Sequence, residues 1–300
     1  MRIGVIGNSI KESLPNAIDA LLKLGPKYNL EFLIHDELSQ LLKKKFENVL
    51  LQKQFLPSAE LVKESDIIVS FGGDGTILSA ARIVGKSNVP ILGINLGKLG
   101  FLAEVSLEEI ELFIKDIISG RHITEERMVL KTTIEKDKSE LYSLNDVVID
   151  NSTSSRLIHI SVYVNDQYLV SYSGDGIIIA TPTGSTAYSL AAGGPIVVPT
   201  TNVIIIQPIS PHSLSARTVI IPDTSTIRIA VEHFSNEARI TADGQIEKIF
   251  APPLDIYISK AEYSVKLIKR KDRSYYDVLR AKLLWGSDIR LVKGKTDEHK

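Results

Sequence analysis

The segment Phe71-Gly72-Gly73-Asp74-Gly75-Thr76 combines three glycines with one carboxylate. Glycines carry no Cβ, so backbone N–H groups can approach a chain of phosphates, and the N-terminus of a following helix adds positive partial charge. A carboxylate inside such a cradle repels the anion unless it has another task. The natural task is to accept the proton of an attacking hydroxyl. Asp74 is therefore the candidate general base, and Gly72, Gly73, Gly75 and Thr76 are the candidate phosphate-donor contacts. The same spacing also suits a tight strand-to-helix turn with Asp74 as its N-cap, and both readings stand on the residues alone. The loop is neither the GxxxxGK pattern of P-loop proteins nor the GxGxxG of dinucleotide folds.

A second cluster runs from Gly174-Asp175-Gly176 through an apolar stretch into Thr181-Pro182-Thr183-Gly184-Ser185-Thr186-Ala187-Tyr188-Ser189-Leu190-Ala191-Ala192-Gly193-Gly194-Pro195. A structural helix cap needs one Ser or Thr, whereas Thr181, Thr183, Ser185 and Thr186 crowd six positions. The expectation is a surface presenting hydroxyls, backbone amides and the Tyr188 ring together, suited to a planar base and its sugar.

These motifs need elements to hold them. Over the first 120 or so residues, β-rich apolar runs at Ile3–Ile6, Leu30–His35, Asp66–Phe71 and Pro90–Asn95 alternate with helical patterns near 14–24, 37–46, 58–65 and 76–85. Ser106 with Glu109 makes a capping box opening a further helix at 107–119. This alternation predicts a parallel sheet covered by helices, with the glycine loop at the carboxyl end of a strand, where open α/β sheets bind ligands. From about 125 to 270 the pattern becomes short β-branched runs: Val129–Ile134, Asp146–Ile149, Ile158–Val164, Gly176–Thr181, Val203–Gln207, Thr218–Ile221, Ile227–Val231, Ile256–Ser259 and Ser264–Lys269. That predicts an antiparallel β domain, interrupted by a helix at 185–192. The fold class expected is an N-terminal Rossmann-like α/β domain (1–121), a C-terminal β-rich domain (122–272), and a terminal helix and tail (273–300) returning to the first.

Composition narrows the partners. The 300 residues carry 35 Lys+Arg against 36 Asp+Glu, a formal net charge of −1, so no global basic surplus draws the chain to nucleic acid or acidic lipid. With 44% hydrophobic and 24% charged residues the chain has the balance of a folded globular protein. The absence of cysteine excludes disulfides, thiolate metal sites and thiol nucleophiles, and no His-x-x-x-His pair suggests a histidine metal centre. The amino terminus reads as a strand rather than a leader, and no apolar run approaches the ~18 residues of a membrane span. A cytoplasmic protein is expected. The basic runs Lys43-Lys44-Lys45 and Lys269-Arg270-Lys271 read as solvated element ends.

Five motifs, in order and across almost the whole chain, resemble the NAD kinases: GGDGT; Leu144-Asn145-Asp146-Val147; GDG with TPTGSTAYSLAAGGP; Pro208-Ile209-Ser210-Pro211-His212-Ser213-Leu214-Ser215; and Asp243-Gly244-Gln245. The resemblance implies transfer of a phosphoryl group from ATP or polyphosphate to the 2′-hydroxyl of the adenosine ribose of NAD, giving NADP. It also implies a divalent cation such as Mg²⁺, whose ligands the sequence does not name, and a homo-oligomer, dimer or tetramer. By the same resemblance Asp74 is the proton acceptor. Asn145 and Asp146 match the Asn-Glu pair that holds the dinucleotide, with Asp one methylene shorter than the usual Glu. Arg156, Ser173 and Asp175 match further NAD contacts, as do Gly75, Thr186, Ala187, Tyr188, Ser189, Leu190, Ala191, Ser210, Asp243 and Gln245, with Tyr188 against adenine. Two other readings share features of the loop. A lipid kinase of the diacylglycerol type also uses GGDGT but calls for an apolar groove in place of the Asn145-Asp146 and TPTGSTAYS cluster. A non-catalytic dinucleotide-binding regulator would be expected to lose the carboxylate at position 74.

Overall fold

In the computed structural model, residues 1–46, 54–151, 157–213, 215–232 and 237–285 are described. Arg156 lies outside them. The chain divides into two compact units: Met1–Ile77, Pro90–Thr124 and the segment from Leu267 onward form one, and Leu78–Val89 with Glu125–Lys266 the other.

The first unit is built on a parallel sheet in the order Phe55–Leu56, Glu31–His35, Arg2–Gly7, Ile67–Gly72, Ile91–Asn95, to which the end of the last strand adds through Leu267 beside Ile91. Ile67–Gly72 is buried along its whole length, as expected for a central parallel strand covered on both faces. Helices Leu14–Leu22 and Ile110–Ile118 place their apolar stripes, Leu14, Ile18 and Leu21 and Ile110, Phe113, Ile114 and Ile117, into the core around Ile3, Val5, Val69 and Phe71. The predicted capping box is formed: Ser106 and Glu109 satisfy each other's backbone N–H as the chain enters the helix. The terminal helix Tyr275–Leu283 counts with this unit and carries a second capping box, Ser274 with Asp277.

The second unit is antiparallel. One sheet orders Val219–Pro222, Val203–Ile209, Gly176–Ala180, Asp146–Asn151, Ala238–Ala242 and Ile246–Phe250. Strands Gln167–Gly174, Ile158–Val164, Ile227–Val231 and Leu254–Lys269 pair in a second. Alternate residues of both sheets, among them Ile149, Ile179, Ile206, Ile160, Ile229, Ile240 and Ile256, share one core.

Among the described residues, six strands exceed the sequence reading: Phe55–Leu56, Val105–Ser106, Glu140–Ser143, Gln167–Gly174, Ala238–Ala242 and Ile246–Phe250. Gln167–Gly174 and Ile246–Phe250 are edge strands whose residues are mostly exposed or half-buried, so they carry little of the apolar alternation that marks a strand. The two predicted strands 256–259 and 264–269 are one, Leu254–Lys269, because Lys260 and Glu262 interrupt the apolar text without interrupting the ladder. The run Lys269-Arg270-Lys271 is not a solvated end throughout. Lys269 is buried against Glu104, and Arg270 pairs with Glu109 and Asp272, so two of its three charges are held by carboxylates.

Candidate active site

The glycine loop sits where the sequence placed it. Gly72 ends the strand Ile67–Gly72 and Asp74 begins the helix Asp74–Val84. A Cβ on Gly72 would lie 2.0 Å from the Thr76 hydroxyl, so glycine is obligatory for the turn to close. At Gly73 and Gly75 an added Cβ would meet nothing within 4 Å, so the protein's own packing does not explain those two glycines.

Asp74 is not merely a helix cap. Its Oδ2 accepts a hydrogen bond from the N–H of Phe101 (2.8 Å), and its Oδ1 accepts from Leu102 (2.9 Å) and Ala103 (3.0 Å). Three successive amides of the loop after Ile91–Asn95 thus fix the carboxylate. Gly100 makes the approach possible, since a Cβ there would stand 2.0 Å from Asp74 Oδ1. Sequence reading missed this partner loop, although the Gly97-Lys98-Leu99-Gly100 spacing directly after a predicted strand carried a signal.

The same device recurs in the second unit. Asp243, at φ 52°, accepts from the N–H groups of Leu144 (2.9 Å), Asn145 (2.7 Å) and Asp146 (3.2 Å). From the other side the Thr181 hydroxyl donates to the Leu144 carbonyl at 2.6 Å, and the Thr181 N–H donates to the Asn145 carbonyl at 2.8 Å. Gly184 lies so close that a Cβ would be 2.1 Å from the Asn145 oxygen. Three motifs far apart in sequence therefore interlock around Leu144-Asn145-Asp146.

Within the second unit these motifs border a cavity of about 450 Å³ lined by Asn145, Asp146, Ala187, Tyr188 and Asp243, with Asp150, Thr241, Arg239 and Glu247 at its walls. The Arg239 guanidinium grips Asp150 with two parallel hydrogen bonds at 2.9 and 2.8 Å across paired strands. No sequence motif joins those two residues; only strand register does. Burial, and then the nearby Asp243 carboxylate, push Asp146 from the ordinary carboxylate value up to about 7. Burial also raises Asp243, opposed by its three backbone donors.

Tyr188, half exposed, also borders a second cavity of about 670 Å³, which Asp175, Ala191, Ser210 and Arg217 line. Other predicted contacts lie elsewhere. Ser173 bonds the His159 ring across its strand pair at 3.0 Å, and Gln245 accepts from Ser79 and Arg82. Thr186 donates back to the Thr183 carbonyl, Leu190 lies half-buried in the short helix Tyr188–Ala191, and Ser189 is fully buried.

The hydroxyl-rich turn corrects one expectation. Thr181, Thr183 and Ser185 do not present their hydroxyls to a ligand; all three are buried and spent on the protein. Ser185 donates to the carbonyls of Pro182 and Val197, and buried Arg127 donates to Thr183. A tight turn leaves backbone groups without ladder partners, and these side chains satisfy them.

A phosphate-type loop at the carboxyl edge of a parallel sheet in one unit, and a polar-walled cavity on an antiparallel unit, define a nucleotide-binding protein of mixed α/β and β construction. The ATP-NAD kinase N-terminal domain family matches residues 3–122 and the ATP-NAD kinase C-terminal domain family residues 144–270. An NAD kinase of Bacteroides fragilis is 39% identical over 294 residues, covering 97% of this chain and all of its own. One of Sulfurimonas denitrificans is 37% identical, covering 95% and 97%. Among solved structures, yeast NADH kinase complexed with NADH superposes at a TM-score of 0.89 with 25% identity, covering 97% of this chain and 89% of its own. An NAD kinase from Archaeoglobus fulgidus in complex with ATP superposes at 0.74 with 26% identity, covering 94% and 99%. The chain belongs to the NAD kinase family. None of these relatives supports the lipid-kinase or regulator reading.

Proposed function

We propose that this chain phosphorylates NAD, moving a phosphoryl group from ATP or another donor to the 2′-hydroxyl of the adenosine ribose to give NADP. The observation that carries the reading is the Asp74 carboxylate, held beside the glycine loop by three amides. A carboxylate has about four lone-pair sites, so one remains to accept the proton of a ribose hydroxyl while the others fix its direction. The hydroxyl oxygen then bonds to the terminal phosphorus, the bridging P–O bond breaks, and the nucleoside diphosphate leaves with the bond's electrons. Gly73 and Gly75, where the fold itself needs no missing methyl, leave room for the phosphates at the N-terminus of Asp74–Val84. Asn145, Asp146, Asp175, Ala187, Tyr188, Ala191, Ser210 and Asp243 line the dinucleotide-binding cavities in this reading.

A protein-held magnesium does not fit these residues. Among the described residues no three His, Cys, Asp or Glu side chains are grouped to hold a metal, and both oxygens of Asp74 are engaged by amides. The divalent cation enters this reading as the counter-ion of the nucleoside triphosphate, part of the substrate. A cytoplasmic homo-oligomer, dimer or tetramer, with no nucleic-acid or membrane partner completes the proposal. Among the described residues no helix is long and apolar enough to cross a membrane.

Mixing the protein with NAD, magnesium and a phosphoryl donor and reading NADP with a coupled dehydrogenase tests the activity. The donor loop offers mainly backbone groups, so ATP, GTP and CTP should support turnover within about 100-fold in kcat/KM, and inorganic polyphosphate should also serve. A larger preference for ATP would mean that a base-reading pocket exists. Tyr188→Ala should weaken NAD binding by about 1–3 kcal/mol while leaving kcat nearly unchanged, because a ring on the adenine acts on ground and transition states alike. Unchanged NAD affinity by titration calorimetry would remove Tyr188 from the site.

A further inference from the structure

The loop that fixes Asp74 is itself held from the far end of the chain. Lys282, an exposed residue of the terminal helix Tyr275–Leu283, donates from Nζ to the Leu99 carbonyl at 2.7 Å and stands 5.4 Å from the centre of the Phe101 ring. Leu99 and Phe101 flank Gly100, the residue whose missing side chain admits the Asp74 carboxylate, and the Phe101 amide is one of the three that bind it. Two further grips come from the same terminal segment. Arg273 donates to the Glu104 carbonyl at 3.4 Å, and Lys269 pairs with the Glu104 carboxylate, just after Ala103. The helix docks through buried Val278 and Leu279, so Lys282 projects from an anchored base.

We infer that Lys282 is a positioning residue for Asp74, acting through the 99–103 loop; the inference rests on the reading of Asp74 as the base. Lys282 is exposed, and a lone surface contact of this kind adds little to global stability. Its consequence is local. A loop of glycines and backbone carbonyls, without that clamp, can shift its amides, and misplacements of about 1 Å at a reacting group can cost as much as 10²-fold in rate. The terminal helix thereby becomes part of the catalytic geometry without touching substrate.

The test uses the full-length chain as wild type, Lys282→Met and Lys282→Arg. Lys282→Met should lower kcat about tenfold with the KM values for NAD and ATP within about twofold, since only the orientation of the base changes. Lys282→Arg, which can still donate to Leu99 and stack on Phe101, should recover most of the loss, and Tm should be nearly equal in all three. Amide hydrogen exchange supplies a readout independent of turnover: protection of Phe101, Leu102 and Ala103 should fall about tenfold in Lys282→Met and return in Lys282→Arg. Unchanged protection of these three amides overturns the inference, as does an unchanged kcat. A raised KM for ATP at constant kcat would mean that Lys282 touches the donor, and overturns it too. A wild-type chain that forms no NADP would sink the reading of Asp74, whereas the exchange experiment would still decide whether Lys282 holds the loop.

Discussion

Asp74→Asn lowers kcat for NADP formation by at least roughly 10²-fold while NAD still binds, within the range of about 10²–10⁴ that a positioned general base contributes. The structure sharpens the expectation. Asn can keep its carbonyl oxygen where Oδ1 accepts from Leu102 and Ala103, but its NH₂ then faces the Phe101 N–H that the lost oxygen had satisfied. Donor meets donor, so the side chain loses both its capacity to take a proton and part of its anchoring. The fold should survive, because the carboxylate lies at the start of a helix and not within either apolar core. Steady-state kinetics paired with calorimetric NAD binding checks this. A variant that turns over at nearly the wild-type rate would end the general-base mechanism.

Asp146→Asn should raise Tm by several degrees at pH 8 and leave it almost unchanged near pH 4. In the unfolded chain this carboxyl ionises near 3.8; in the folded one burial and Asp243 push it up to about 7. Between those values the folded state holds the proton that the unfolded state has released. The stability linked to the group is therefore complete below about pH 4 and lost as pH rises through about 7, a span worth up to roughly 4 kcal/mol. Asn mimics the neutral acid in size and charge, so its stability does not fall along that limb, and a gain of this size is several degrees for a chain of this length. Thermal unfolding of both proteins from pH 4 to 8 decides it. Parallel Tm curves would show that Asp146 is not ionised at the expense of the fold.

Part of the site was legible because its residues are contiguous. Gly72-Gly73-Asp74-Gly75-Thr76 follows a mostly apolar strand and precedes a helix, and those local rules place the loop at a carboxyl edge without tertiary information. The Ser106–Glu109 capping box was legible for the same reason, since both partners lie within one helical turn. The hydroxyl-rich turn misled because the sequence shows that Thr181, Thr183 and Ser185 are present but not which way they face. Their direction follows from the backbone carbonyls of Leu144, Pro182 and Val197, to which the Thr181 and Ser185 hydroxyls donate, and from the Arg127 guanidinium that donates to Thr183.

By itself the sequence determined the fold class, through the change from a helix-alternating to a strand-dense apolar pattern after residue 121, and it determined the identity of the chemically able residues. Only the tertiary structure decided how each is held. Asp74 meets its three amides 27 to 29 residues away, Asp243 meets its three 97 to 99 residues away, and Lys282 reaches Leu99 across 183 residues. The Asp150–Arg239 pair at the cavity wall exists because two antiparallel strands share a register. For Asp74, Asp243 and Lys282 the physical reason is the same: a backbone amide or carbonyl is identical at every residue, so the sequence cannot advertise which of them will receive a side chain. That choice is made when strands pair and loops close, and it sets the direction of the Asp74 and Asp243 carboxylates.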